Sequence, residues 1–157
     1  MREIKGNLFD AENLGGEQRI MIPHVCNDKG AWGAGFVMPL ARYFPEAKER
    51  YFQSVNYKGT GSLPLEQMTT QFVLCGYQPQ IIVANMIAQT LGGDRPLSYE
   101  SLTACMTRVG NHAVNTDCRI VCPKFGSGLA GGNWEFIKEL IKDFWVDRGI
   151  DVTVFYL

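Results

Sequence analysis

The segment Gln80–Met86, QIIVANM, constrains the fold more than any other stretch of the chain. A strand with one wet face alternates apolar and polar side chains at a period of two, and this one does not alternate. The same holds for RIVC at Arg119–Cys122. Strands of this kind are apolar on both faces and need a layer of helices on each side. Further strand-forming segments are Glu3–Lys5, Arg19–Cys26, Thr69–Cys75 and Asp151–Tyr156, the last rich in β-branched and aromatic residues.

Helical signals fall between them. Asn133 reads as an N-cap, followed by Trp134, Ile137, Leu140, Ile141, Phe144 and Trp145 on one face and Glu135, Lys138, Glu139 and Lys142 on the other. Ser98 caps a second helix with the stripe Leu102, Cys105, Met106, Val109 and Ala113, and Pro45 suits the first turn of a third carrying Lys48, Tyr51, Phe52 and Val55. No internal repeat or linker divides the 157 residues. The expectation is one α/β domain over residues 1–157, folded as a three-layer α/β/α sandwich.

Charge excludes some function classes. Fifteen Lys and Arg stand against 16 Asp and Glu, too even a balance for a broad nucleic-acid surface or an anionic membrane. The five cysteines, Cys26, Cys75, Cys105, Cys118 and Cys122, form no CxxC pair and have two histidines for company, so they read as reduced, buried thiols and no metal site is expected. With no charged leader or membrane-length apolar run, the expectation is an intracellular, cytoplasmic protein.

Two glycine-rich loops carry the chemistry. NDKGAWGAGF (Asn27–Phe36) and PKFGSGLAGG (Pro123–Gly132) each follow a strand and precede a helix. In open α/β sheets the loops after strands form the ligand crevice, and glycines let backbone N–H groups converge on an anion such as a diphosphate. Tight helix–sheet packing is the alternative use of either loop. Neither matches the P-loop ending GK[ST] or the spacing GxGxxG. Trp32, between the first-loop glycines, reads as core support beneath the loop, and Lys124 is left outside the site.

Taken in order, IKGNLFD, HVCNDKGAWGAGF, FPEAKERY, VANMIAQ, PKFGSGLAGGNW and VTVFYL resemble a macro domain over nearly the whole chain, most like the branch that processes ADP-ribose 1''-phosphate. The resemblance implies a mixed central sheet and a cleft for ADP-ribose or ADP-ribose 1''-phosphate, with no cofactor. It places Asn7 and Leu8 near adenine, where most of the family has Asp in place of Asn7, and Phe155 beside the base. Gly33, Ala34, Gly35 and Phe36 would wrap the distal ribose and diphosphate. Gly126, Ser127, Gly128, Leu129, Ala130 and Gly131 would hold the diphosphate from the other side.

As catalytic candidates the resemblance offers Asn27, in the position that hydrogen-bonds the distal ribose, and His24, suspected of acid/base work. The two converge only if the strand ends between them. Asp28 and Asp94 read as solvated turn residues rather than bases.

Three functions stay open at this stage: phosphate release from ADP-ribose 1''-phosphate, removal of ADP-ribose from a modified protein partner or other macromolecule, and binding without turnover. The lysine on which the glutamyl-cleaving branch depends has no counterpart, since no lysine lies between Lys58 and Lys124.

Overall fold

The computed structural model describes residues 1–55 and 69–157; the side chain of Val55, assigned to a helix face above, lies outside the described residues. Six strands form one sheet: β1 (Arg2–Lys5), β2 (Arg19–Asn27), β3 (Thr70–Tyr77), β4 (Gln80–Gln89), β5 (Cys118–Cys122) and β6 (Val152–Tyr156). The order is β1-β6-β5-β2-β4-β3, parallel throughout except for the antiparallel β3–β4 pair at one edge. The sheet is mixed, as the resemblance implied.

The helices are α1 (Val37–Tyr43), α2 (Pro45–Val55), α3 (Tyr99–Thr116) and α4 (Trp134–Phe144). Ser98 and Asn133 cap α3 and α4, their side-chain oxygens accepting from the Ser101 and Phe136 amides at 3.2 and 3.1 Å. Trp145 falls just past the end of α4, fully buried, and its indole N–H donates to the Met106 carbonyl of α3 at 2.9 Å.

The unalternating strands have the cause expected of them. Along β4 every residue from Ile81 to Ala88 is buried. One core cluster joins Met21, Met86 and Ile120 to α3 and α4; a second joins Ile20, Ile22, Val83 and Val121 to Leu40, Ala47 and Tyr51 of α1 and α2. Each fully buried Ile contributes about 1.5–3 kcal/mol, so the two clusters fix which way each strand faces.

That division positions the site. β2 and β5 are neighbours in the sheet, yet the chain leaving β2 turns to the α1/α2 face and the chain leaving β5 turns to the α4 face. Two adjacent parallel strands whose connections diverge open a crevice at their C-terminal ends. The two glycine-rich loops are those connections.

Candidate functional site

Three adjoining cavities form an elongated cleft along the strand ends. The first, about 600 Å³, is lined by Asn7, Leu8, Phe9, Phe155 and Tyr156. The second, about 210 Å³, lies between Gly35 and Phe36 on one side and Gly126 and Gly128 on the other, and shares Gly35, Phe36, Pro123 and Lys124 with the first. The third, about 340 Å³, is bounded by Asn27, Gly33, Ala34, Gly92 and Pro96, and shares Ala34 and Leu129 with the second.

Residues along this cleft carry uncommitted backbone donors. The amides of Trp32–Phe36 and of Gly126–Ala130 donate to no described residue, whereas their flanking amides are committed: Ala31 to Asn27 Oδ1, Gly131 to the Gly128 carbonyl, and Gly132 to the Gly126 carbonyl. Gly35 and Gly126, with φ of +79° and +76°, take a conformation that a side chain would oppose. The residues with uncommitted amides coincide closely with those assigned to the two loops from the sequence.

Asn27 organises the first loop from inside. Its Oδ1 accepts from the Lys29 and Ala31 amides at 2.9 and 3.1 Å and lies 2.9 Å from the Tyr51 hydroxyl, while its Nδ2 donates to the Ala31 carbonyl at 2.7 Å. Tyr51 in turn accepts from the Gly30 amide at 3.0 Å. One Nδ2 hydrogen of Asn27 has no described acceptor, and the residue lines the third cavity.

β2 does not stop between His24 and Asn27. It runs through Asn27, and a register shift between Cys26 and Asn27 breaks the alternation instead. Even so, the two side chains do not meet as an acid/base pair. His24, 1% exposed, lines the second cavity from the α1/α2 side, where its Nε2 lies 2.6 Å from Asn85 Oδ1 and its ring packs edge-on to Trp32.

Asn85 Nδ2 donates to the Ala47 carbonyl at 3.0 Å and to Gln71 Oε1 at 3.2 Å, so the Asn85 atom facing His24 is oxygen. Nε2 therefore carries a proton, and it is burial that keeps the imidazole neutral near pH 7. Burial pushes its pKa down to about 4 against the partial support of Asn85.

The shift has a sign. Above pH 6.5 the ring is neutral folded and unfolded; between 6.5 and 4 the unfolded chain binds a proton that the folded one refuses, so stability falls with pH. This ring contributes on the order of 3 kcal/mol to that loss. His24→Gln, which keeps a donor for Asn85, is expected to flatten the fall in urea-unfolding free energy between pH 6.5 and 4, and an unchanged slope would contradict the assignment.

The remaining sequence-based assignments divide. Leu129 lines the second and third cavities and Ala130 the second. Ser127 and Gly131 line none of the three: the Ser127 hydroxyl donates to the Lys124 carbonyl at 2.8 Å, and a Cβ on Gly131 would stand 2.8 Å from the Asp94 carbonyl oxygen. Phe155 serves both uses, belonging to the core while lining the first cavity.

Trp32 belongs to the core, 6% exposed with its indole N–H on the Val37 carbonyl at 3.0 Å, and it also lines the third cavity. Asp94 is exposed, as a solvated turn residue should be. Asp28 is not: it is 3% exposed with Oδ1 unpartnered, and it lines none of the three cavities. The cysteines are free; four are buried and Cys75 is half-buried, where burial pushes its thiol up to about 11.

No family model matches the chain. A macrodomain protein from Streptomyces coelicolor of known structure is 33% identical, with 99% of this chain and 98% of that one covered at a TM-score of 0.80. The chain belongs to the macrodomain family. Two curated relatives are named ADP-ribose 1''-phosphate phosphatase. The Candida albicans protein is 26% identical over 149 residues (90% of this chain, 91% of that one), and the Candida glabrata protein is 26% identical over 184 residues (98% and 97%).

Two features of this macrodomain's cleft escaped the sequence reading. Leu91, Gly92 and Pro96 form a third wall, closed by Thr90 N–H on the Pro96 carbonyl at 3.0 Å and tied to the second loop by Leu97 N–H on the Ala130 carbonyl at 3.1 Å. The Gly92-Gly93 pair directly after an apolar strand, both at positive φ, repeats the signal that found the other loops. Lys124, set aside above, lines the first and second cavities, with its ammonium 4.4 Å from the Tyr156 ring centroid.

Among the described residues no three His, Cys, Asp or Glu side chains gather as a metal-holding group, and no helix is long and apolar enough to cross a membrane.

Proposed function

We propose that this macrodomain binds ADP-ribose 1''-phosphate along the cleft and hydrolyses it to ADP-ribose and phosphate. The observation that carries this is the pair of loops whose uncommitted amides, Gly33–Phe36 and Gly126–Ala130, belong to the two sides of a cavity smaller than those at either end. A diphosphate fits the middle, a nucleoside the aromatic-backed end, and a ribose with its 1''-phosphate the end closed by Asn27 and the Leu91–Pro96 wall. The names of the two curated relatives support the same substrate.

In the reaction a water oxygen bonds to phosphorus as the bond from phosphorus to the 1'' oxygen breaks, and that oxygen leaves as the ribose hydroxyl with a proton. Positioned amides stabilise the charge on the phosphoryl oxygens. The free Nδ2 hydrogen of Asn27 is available to a ribose hydroxyl or to the phosphate. His24, neutral and bonded to Asn85, holds Trp32 and Phe36 under the loop rather than exchanging protons with substrate. Hydrolysis by way of a lysine amine adduct is disfavoured because the β4 side of the cleft presents Gln89, Leu91 and Gly92.

Lys124 supplies the charge that backbone amides lack. Lys124→Ala is expected to weaken ADP-ribose binding about tenfold and to reduce its salt dependence, measured by calorimetry at two ionic strengths. An unchanged affinity would place the lysine outside the ligand's reach.

The function itself is tested by following phosphate released from ADP-ribose 1''-phosphate, with ADP-ribose binding as control. Stoichiometric phosphate and ADP-ribose are expected. Binding with no release would make the protein a reader, and free ADP-ribose from a modified protein instead would make it a de-modifying hydrolase.

A further inference from the structure

One edge of the sheet is bare. β1 has β6 on one side and no described strand on the other, and all four of its residues, Arg2–Lys5, are exposed. At the opposite edge six of the eight residues of β3 are buried or half-buried. An uncovered edge carries a row of unpaired N–H and C=O groups that a further strand can join.

One hydrogen bond decides which groups those are. The Gly6 amide donates to the Tyr156 carbonyl at 2.8 Å, and in a parallel pair only alternate residues of a strand bond to a given neighbour. Arg2 and Ile4 therefore face β6 as Gly6 does, and the backbone groups of Glu3 and Lys5 point outward. Side chains alternate on the same period. Glu3 lies on the α4 face, accepting from Trp134 Nε1 at 2.9 Å and from Lys138 Nζ at 3.4 Å. Lys5 shares that face and is paired with no described residue. Ile4, 39% exposed, is on the other.

We propose that β1 pairs antiparallel with β1 of a second copy of this chain, about a two-fold axis at Ile4, joining the two sheets into one. In this register Glu3 of each copy stands opposite Lys5 of the other, and Ile4 opposite Ile4. Glu3 and Lys5 are the residues with outward-facing backbone groups, so each Glu3–Lys5 pair exchanges two N–H···O bonds and sets opposite charges directly across from each other. An ionised carboxylate accepts about four hydrogen bonds, so Glu3 can keep Trp134 and Lys138 and still take the second copy's lysine. An axis at Glu3 or at Lys5 would oppose like charges, and an axis between residues would set an outward-facing residue against one already bonded to β6. The run Glu-Ile-Lys is its own complement when reversed, which is why the partner is a second copy. None of Arg2–Lys5 lines the cleft, so the pairing holds whatever ligand the cleft takes.

A contact of four residues per copy belongs to the small, transient class, with half-association expected at roughly 0.1–1 mM. Sedimentation velocity of the untagged chain should show monomer giving way to dimer as concentration rises through that range. Amide exchange should slow with concentration at Glu3 and Lys5 and stay constant at Ile4, whose N–H is already bonded to β6.

Lys5→Glu and Glu3→Lys each place like charges at both outward positions, so each alone should associate at least about tenfold more weakly than the wild type. An equimolar mixture should regain the dimer, because the two carboxylates of one strand meet the two ammonium groups of the other. Thermal melts check that Glu3→Lys, which gives up the Trp134 bond, is folded. If it is not, Lys5→Pro takes its place: it removes an outward-facing N–H and no bond to β6, and must abolish the dimer. A wild type that stays monomeric to 1 mM, a dimer as tight in Lys5→Glu or Lys5→Pro as in the wild type, or a mixture of two folded variants that stays monomeric overturns the assignment.

Discussion

Gly132→Ala is expected to lower the melting temperature by roughly 5–10 °C and to remove ADP-ribose binding. A Cβ at this position would stand 2.4 Å from the Gly126 carbonyl oxygen and 2.6 Å from Leu97 Cδ2. The leucine can rotate away, but the carbonyl is backbone and already accepts from the Gly132 amide at 2.8 Å, so the second loop must open. Overpacking of this kind costs about 2–3 kcal/mol.

Gly128 provides the contrast, because a Cβ there meets nothing within 4 Å and the residue lines the middle cavity. Gly128→Val should therefore keep the wild-type melting temperature and still lose affinity for ADP-ribose. Equal melting temperatures for the two variants would contradict the packing argument, and full affinity in Gly128→Val would contradict the placement of the diphosphate.

Asn27→Ala is the second large effect. Removing the amide leaves the Lys29 and Ala31 N–H groups and the Ala31 carbonyl without the partner that binds the first loop together, while the Tyr51 hydroxyl keeps its bond to the backbone carbonyl at position 27, 2.7 Å away. Buried groups stranded in this way cost about 1–3 kcal/mol each where water does not reach them, and the loop will relax to limit the total. The expectation is a loss of about 2–4 kcal/mol in stability, with ADP-ribose affinity and phosphate release falling together by tenfold or more. A catalytic group touching only the transition state would behave otherwise, cutting turnover while the dissociation constant stayed put. That second pattern, read from binding and single-turnover measurements side by side, would return Asn27 from loop organiser to catalyst.

The sequence makes the layers and the two loops legible for a local reason. Unalternating strands such as QIIVANM state that both faces are covered, and glycine clusters after strands state where the backbone must be bare. What it hides depends on pairing across long separations. The tautomer of His24 follows from Asn85 and Gln71, on strands 61 and 47 positions away, and becomes visible only once β2, β4 and β3 are in register.

Lys124 looked like an ordinary surface cation because Tyr156, its closest aromatic partner, sits on the last strand. Ser127 and Gly131 were assigned to the cleft by their place in a motif. The Ser127 hydroxyl is spent on a turn hydrogen bond and Gly131 on close packing with the Asp94 backbone, while the Ser127 amide stays among the uncommitted donors of the loop.

The central claim is that one ligand lies between both loops, and amide chemical shifts on addition of ADP-ribose test it most directly. The account predicts that the amides of Gly33–Phe36 and of Gly126–Ala130 shift together along one titration curve, with Leu8 at the base end following them and the exposed helix positions of α3 unmoved. Shifts confined to one loop, or gathered at the far end of the sheet around Gln18 and Pro79, would contradict it.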